Sequence, residues 1–69
     1  MKTSFGNRFK ELRQERNIGQ RELAKPMGVG KGTISMWESG QREPILPYAV
    51  IAAKFFEVSL DYLAGLAEY

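Results

Sequence analysis

Neither cysteine nor histidine occurs among the 69 residues. Disulfides and the usual zinc sites are thereby excluded, and so are the catalytic constellations built on those two side chains. No apolar run approaches the ~20 residues that a membrane span needs, and Met1-Lys2-Thr3-Ser4-Phe5 lacks the apolar core of a signal peptide. A clustered carboxylate pair is also missing, as is a phosphate-cradling loop with its Lys-Ser/Thr. The expectations are therefore no enzyme, no cofactor, no metal, no small-molecule ligand and no membrane, in a reducing, cytoplasmic setting. A chain of 69 residues makes one domain, residues 1–69, close to the lower size at which a single core holds a fold without staples.

What the chain does have is an uneven distribution of charge. The net charge is only +2, but residues 1 to 42 carry nine Lys or Arg against four Glu, whereas residues 43 to 69 carry Lys54 against Glu43, Glu57, Asp61 and Glu68. A basic half followed by an acidic, apolar half is expected of a domain with one phosphate-facing side. Apolar residues recur at helical spacing and no alternating strand pattern is present, which predicts an all-α fold of five short helices.

Ser4 can cap a first helix whose apolar stripe is Phe5, Phe9 and Leu12. Arg13 lies at the edge of that stripe and needs a partner. Asn17-Ile18-Gly19 closes this helix. The stretch Gln20 to Gly40 then reads as two short helices hinged at Met27-Gly28-Val29-Gly30, the arrangement in which one helix braces another against a DNA groove. In the first of the pair, Leu23, Ala24 and Met27 share a side with Gln20, while Arg21, Glu22 and Lys25 look outward. In the second, setting Lys31 at 0° and stepping about 100° per residue puts Trp37 at about 240°, Ile34 at about 300° and Glu38 at about 340°. These three face inward, and Glu38 is predicted to meet Arg13 across the core. Gly32, Ser35, Met36 and Ser39 fall on the opposite face, with Lys31 at its edge; none is bulky enough to hold a duplex away.

Gln20-x-x-Leu23-Ala24-x-x-x-Gly28-Val29, followed by Ile34 and by Trp37-Glu38-x-Gly40-x-Arg42-x-Pro44, resembles the helix-turn-helix of phage repressors, Cro proteins and related bacterial regulators. The likeness runs from about Phe9 to Leu63 and implies a compact five-helix domain of the lambda-repressor type, with the helix-turn-helix at about residues 20–39. It also implies a sequence-specific DNA-binding transcriptional regulator, repressor-like, acting on double-stranded DNA as a homodimer. The expected base contacts are Lys31, Gly32, Ser35 and Met36, and the expected phosphate contacts are Gln20, Arg21, Gln41 and Arg42. The Arg13–Glu38 pair is similarly placed in the family.

Three positions depart from that pattern, the first being Gly19, where the family more often has a Ser or Thr cap. Pro26 removes a backbone donor near the end of its helix, which predicts a bend or an early end around Lys25. Glu57 stands where the family more often ends a helix with Gly. Further along, Leu46, Ala49, Val50, Ala53 and Phe56 form the stripe expected to complete the core, and Ser59 is expected to cap a last helix carrying Leu60, Tyr62, Leu63 and Leu66. Surplus apolar surface at Ile51, Phe55, Tyr62, Leu66 and Tyr69 points to a dimer interface. An antitoxin or adaptor that uses this apolar face mainly to hold a protein partner is the alternative.

Overall fold

The structure, a computed structural model, describes residues 4–68, and for Ser4 the backbone only. The expected capping by the Ser4 side chain and the expected role of Tyr69 therefore lie outside the described residues. Five helices follow one another: α1 (Ser4–Glu15), α2 (Gln20–Met27), α3 (Lys31–Ser39), α4 (Leu46–Phe56) and α5 (Leu60–Ala64). No strand occurs among the described residues, and none of these helices is long and apolar enough to cross a membrane.

Each helix ends for a local reason. After α1 the chain reverses at Asn17, which takes a left-handed conformation with φ 57° that Asn tolerates better than most side chains. Gly19 precedes α2, and its N–H donates to Glu22 Oε1 at 2.7 Å, the half of a reciprocal capping arrangement that a glycine can supply. The early end expected at Lys25 is not found: α2 continues through Pro26 to Met27. Proline removes a single donor so near the end of a helix. The N–H groups of Gly28 and Val29 recover the carbonyls of Lys25 and Ala24 at 3.1 Å each, and Met27 is held in the core. Gly28 and Gly40, at φ 74° and 82°, close α2 and α3 in the left-handed region where glycine is least strained. Ser59 caps α5 by accepting a hydrogen bond from the Tyr62 N–H at 2.9 Å.

Aromatic rings fill the centre. Phe9, fully buried, lies 5.1 Å from Phe5, 5.9 Å from Trp37 and 5.7 Å from Phe56, the last two edge-on. Burial of each such ring contributes ~1.5–3 kcal/mol. Leu23, Ile34 and Leu63 complete this centre without exposure. The stripe expected on α4 is corrected in part: Ala49, Ala52, Ala53 and Phe56 are buried, whereas Leu46 is 64% exposed and Val50 only half-buried. Leu46 opens the helix, and a helical side chain leans toward its N-terminus, so this one reaches past the core.

Gly6 brings α1 directly onto the backbone of α3. A Cβ at this position would stand 2.5 Å from the Trp37 carbonyl oxygen and 3.0 Å from that of Glu38. Only a residue without a side chain allows the two helices to meet this closely.

Candidate nucleic-acid interface

The outward side of α3 is kept open because its inward side is so fully used. Ile34, Trp37 and Glu38 are buried, while Lys31, Gly32, Ser35 and Ser39 are exposed. Met36 is half-buried, and with Thr33, Arg42 and Ile45 it borders a shallow groove of about 200 Å³. Thr33 and Ile45 were absent from the site read in the sequence. Ile45, 64% exposed and the residue preceding α4, could have been recognised from its position between Pro44 and Pro47. Gln41 and Arg42 lie exposed in the following loop, where both N–H groups turn back to the Met36 carbonyl, at 3.0 and 3.3 Å.

Beneath this face lies a polar network. Arg13 donates from Nε to Glu38 Oε2 at 2.6 Å and from Nη2 to Oε1 at 3.1 Å, while Nη1 donates to the Ile18 carbonyl at 2.9 Å. The two side chains are 12% and 4% exposed. The fork of a guanidinium matches a carboxylate in this two-point geometry. Gln20 Nε2 donates to the same Glu38 Oε1 at 3.0 Å. One N–H of the residue expected to clamp a phosphate is thus already engaged inside the protein. Helical projection places Gln20 and Glu38 on their own helices but gives no distance between them, so this bond had no signal in the sequence.

Not all of the basic half faces outward. Arg8 donates from Nη1 to the carbonyls of Tyr62 and Ala67, at 2.7 and 2.6 Å, with its guanidinium 4.4 Å from the centre of the Tyr62 ring. Arg16 donates to the Phe56 carbonyl at 3.2 Å and lies over the Phe55 and Phe56 rings. Both bind carbonyls at or beyond helix C-termini, the negative end of the backbone dipole. With Arg13 in the ion pair, the two arginines of α1 and Arg16 just after it all have partners within the chain. Lys10, Arg21, Lys25, Lys31 and Arg42 are exposed.

The residues expected at a dimer interface divide similarly. Ile51 and Leu66 are exposed, the latter by 79%. Phe55 packs edge-on against Phe56 at 5.0 Å, and Tyr62 lies beneath Arg8, so both are half-buried within their own chain. Among the described residues, no group of three or more acidic side chains is placed to hold a metal ion.

Five helices packed about an aromatic centre, with α2 and α3 joined by a tight glycine turn and the outer side of α3 left bare, define the helix-turn-helix domain of phage-repressor type. The family model described as "Helix-turn-helix" matches residues 9–63, and the chain belongs to that family. Among solved structures, the P22 c2 repressor in complex with synthetic operator 9T is 32% identical with a TM-score of 0.86, over 91% of this chain and 96% of that one. The cryptic phage CTXphi transcriptional repressor RstR of Vibrio cholerae is 36% identical over 93% of the chain. The uncharacterised HTH-type transcriptional regulator YobD of Bacillus subtilis is 31% identical over the same share. The chain spans 58% of the length of RstR and 57% of that of YobD.

Proposed function

We propose that this domain binds double-stranded DNA as a transcriptional regulator of the repressor kind, placing α3 in the major groove of a near-palindromic operator. The observation that carries the reading is the two-sidedness of α3: Ile34, Trp37 and Glu38 buried, Lys31, Gly32 and Ser35 exposed. A helix held rigidly from behind and bare in front is the element that reads base edges. Lys31 reads a guanine edge, Ser35 takes either hydrogen-bond role, and Met36 packs on a thymine methyl. Gly32 lets the backbone approach closely. Gln20, Arg21, Gln41 and Arg42 hold phosphates, which fix orientation without reading sequence.

Two copies related by a two-fold axis set their α3 helices roughly 34 Å apart, one in each of two successive major grooves. The apolar residues Ile51 and Leu66, with Tyr69, supply the contact between copies, and Phe55 and Tyr62 border it. Occupancy of an operator that overlaps a promoter then excludes polymerase, in the cytoplasm and without a small-molecule ligand. Selection of bound sequences from a random DNA pool tests this reading. The expected product is a half-site repeated with two-fold symmetry about one helical turn apart; a pool that emerges without any enriched sequence counts against it.

The exposure of Leu66 and Ile51 also favours a second reading, an antitoxin or adaptor module that holds a protein partner on its carboxy-terminal face. Such a module shows no affinity for random duplex at low salt above that of its charge, which separates the two.

A further inference from the structure

The buried network contains an acceptor shared by donors from two other parts of the fold, Arg13 on α1 and Gln20 on α2. Glu38 offers only acceptor oxygens, and Arg13 engages both of them. The third donor, Gln20 Nε2, reaches Oε1 at 3.0 Å. A glutamine amide has an NH2 end and a carbonyl end, which exchange places by rotation about its last torsion. A carboxylate accepts only the first. Glu38 therefore holds the Gln20 amide in one of its two orientations. The second hydrogen on Nε2 has no acceptor among the described residues, and Gln20, half-buried, is the first residue of α2. That hydrogen stands at a helix start, where backbone N–H groups have no intrahelical partner.

We propose that Glu38, itself held by Arg13, is a positioning residue for DNA binding: it locks the Gln20 amide with a free N–H turned toward a backbone phosphate. In the opposite orientation the amide carbonyl would face the phosphate, acceptor against acceptor. Arg13 completes the device, since its guanidinium neutralises the carboxylate and a phosphate then meets a neutral pair in place of a bare negative charge. The three residues make one relay from α1 through α3 to α2. The proposal rests on the DNA-binding reading above, and specifically on Gln20 as a phosphate contact.

A double-mutant cycle on the full chain tests it, with affinity for the selected duplex as readout and the folded fraction followed by circular dichroism. Gln20→Ala weakens binding about tenfold in the parent, as expected for a hydrogen bond to a charged group. In the Arg13→Met/Glu38→Leu background the same change alters binding less than about twofold, because the amide is no longer held. A tenfold loss in both backgrounds overturns the relay while leaving the phosphate contact standing. No loss in the parent overturns the relay together with the Gln20 contact, and a parent with no affinity for duplex overturns the functional reading itself. Should the double replacement not fold, Glu38→Gln takes its place in the cycle with the same outcomes, since an amide at position 38 accepts either end of Gln20. Heteronuclear NMR of the Gln20 side chain gives a readout that stability alone does not move. Addition of duplex should shift the Nε2 proton not bonded to Glu38 the more strongly, and equal movement of both protons counts against the lock.

Discussion

Gly32 sits in the first turn of α3 with open space where a Cβ would be. Nothing in the protein requires a glycine there, and alanine is favoured over glycine in a helix by up to ~1 kcal/mol. Gly32→Ala should therefore raise the melting temperature yet weaken operator binding, a divergence that thermal melts and gel-shift titrations on the same samples would show. Glu57 has the opposite character. Its φ of 58° places a side-chain-bearing residue in the left-handed region at the end of α4, and its charge lies at the negative end of that helix. Glu57→Gly relieves both, so a gain of about 0.5–1 kcal/mol in chemical denaturation is expected, with DNA affinity unchanged. For the ion pair the expected asymmetry is large. Glu38→Ala leaves the Arg13 guanidinium buried without its carboxylate and should cost ~3–5 kcal/mol, whereas Arg13→Met/Glu38→Leu together should cost far less. Denaturant midpoints of the three proteins decide it. The pair was legible in the sequence because each charge projected inward from its own helix. The Gln20 bond was not, because it depends on how α2 and α3 are set against one another.

At the level of helices, periodicity served well wherever a stripe had one solution. Phe5 and Phe9 on α1, Leu23, Ala24 and Met27 on α2, and Ile34 and Trp37 on α3 are buried as their spacing predicts. It failed on α4, which is apolar on more than one side, so that a wheel cannot say which stripe wins. Packing chose the alanines, whose small side chains let the helix approach, and left Leu46 outside. Pro26 did not bring the early end, one of the two outcomes expected of it, for a related reason: local propensity marks a weak point, but the core contact of Met27 and the bonds of Gly28 and Val29 carry the helix past it. Two substitutions separate the roles of α3 and its exit loop. Lys31→Ala should relax base preference in the selected pool, while Arg42→Ala should weaken all duplexes alike and lower the slope of log affinity against log salt by about 1. The reverse pattern would overturn the assignment of reading to α3 and holding to the loop.

For the whole molecule, composition suggested a phosphate-facing side through the excess of basic residues before position 43. The structure divides that excess. Arg8 and Arg16 bind carbonyls of the carboxy-terminal part and Arg13 is paired, so these arginines fasten α1 to the rest of the fold. Charge counting registers how many cations there are, not which way they turn, and it overstated the surface open to DNA. Gly6 carries a final consequence. With α1 seated against the carbonyls of Trp37 and Glu38, α3 has no room to retreat toward α1, and on the proposed function it cannot yield inward at a site of imperfect shape. Adjustment in that direction then falls to the nucleic acid, and its elastic cost depends on base steps that no side chain touches. Operators identical in both half-sites but differing in spacer stiffness should accordingly bind with different strength: the protein acts as a fixed gauge, and the suppleness of the intervening duplex becomes part of what it measures.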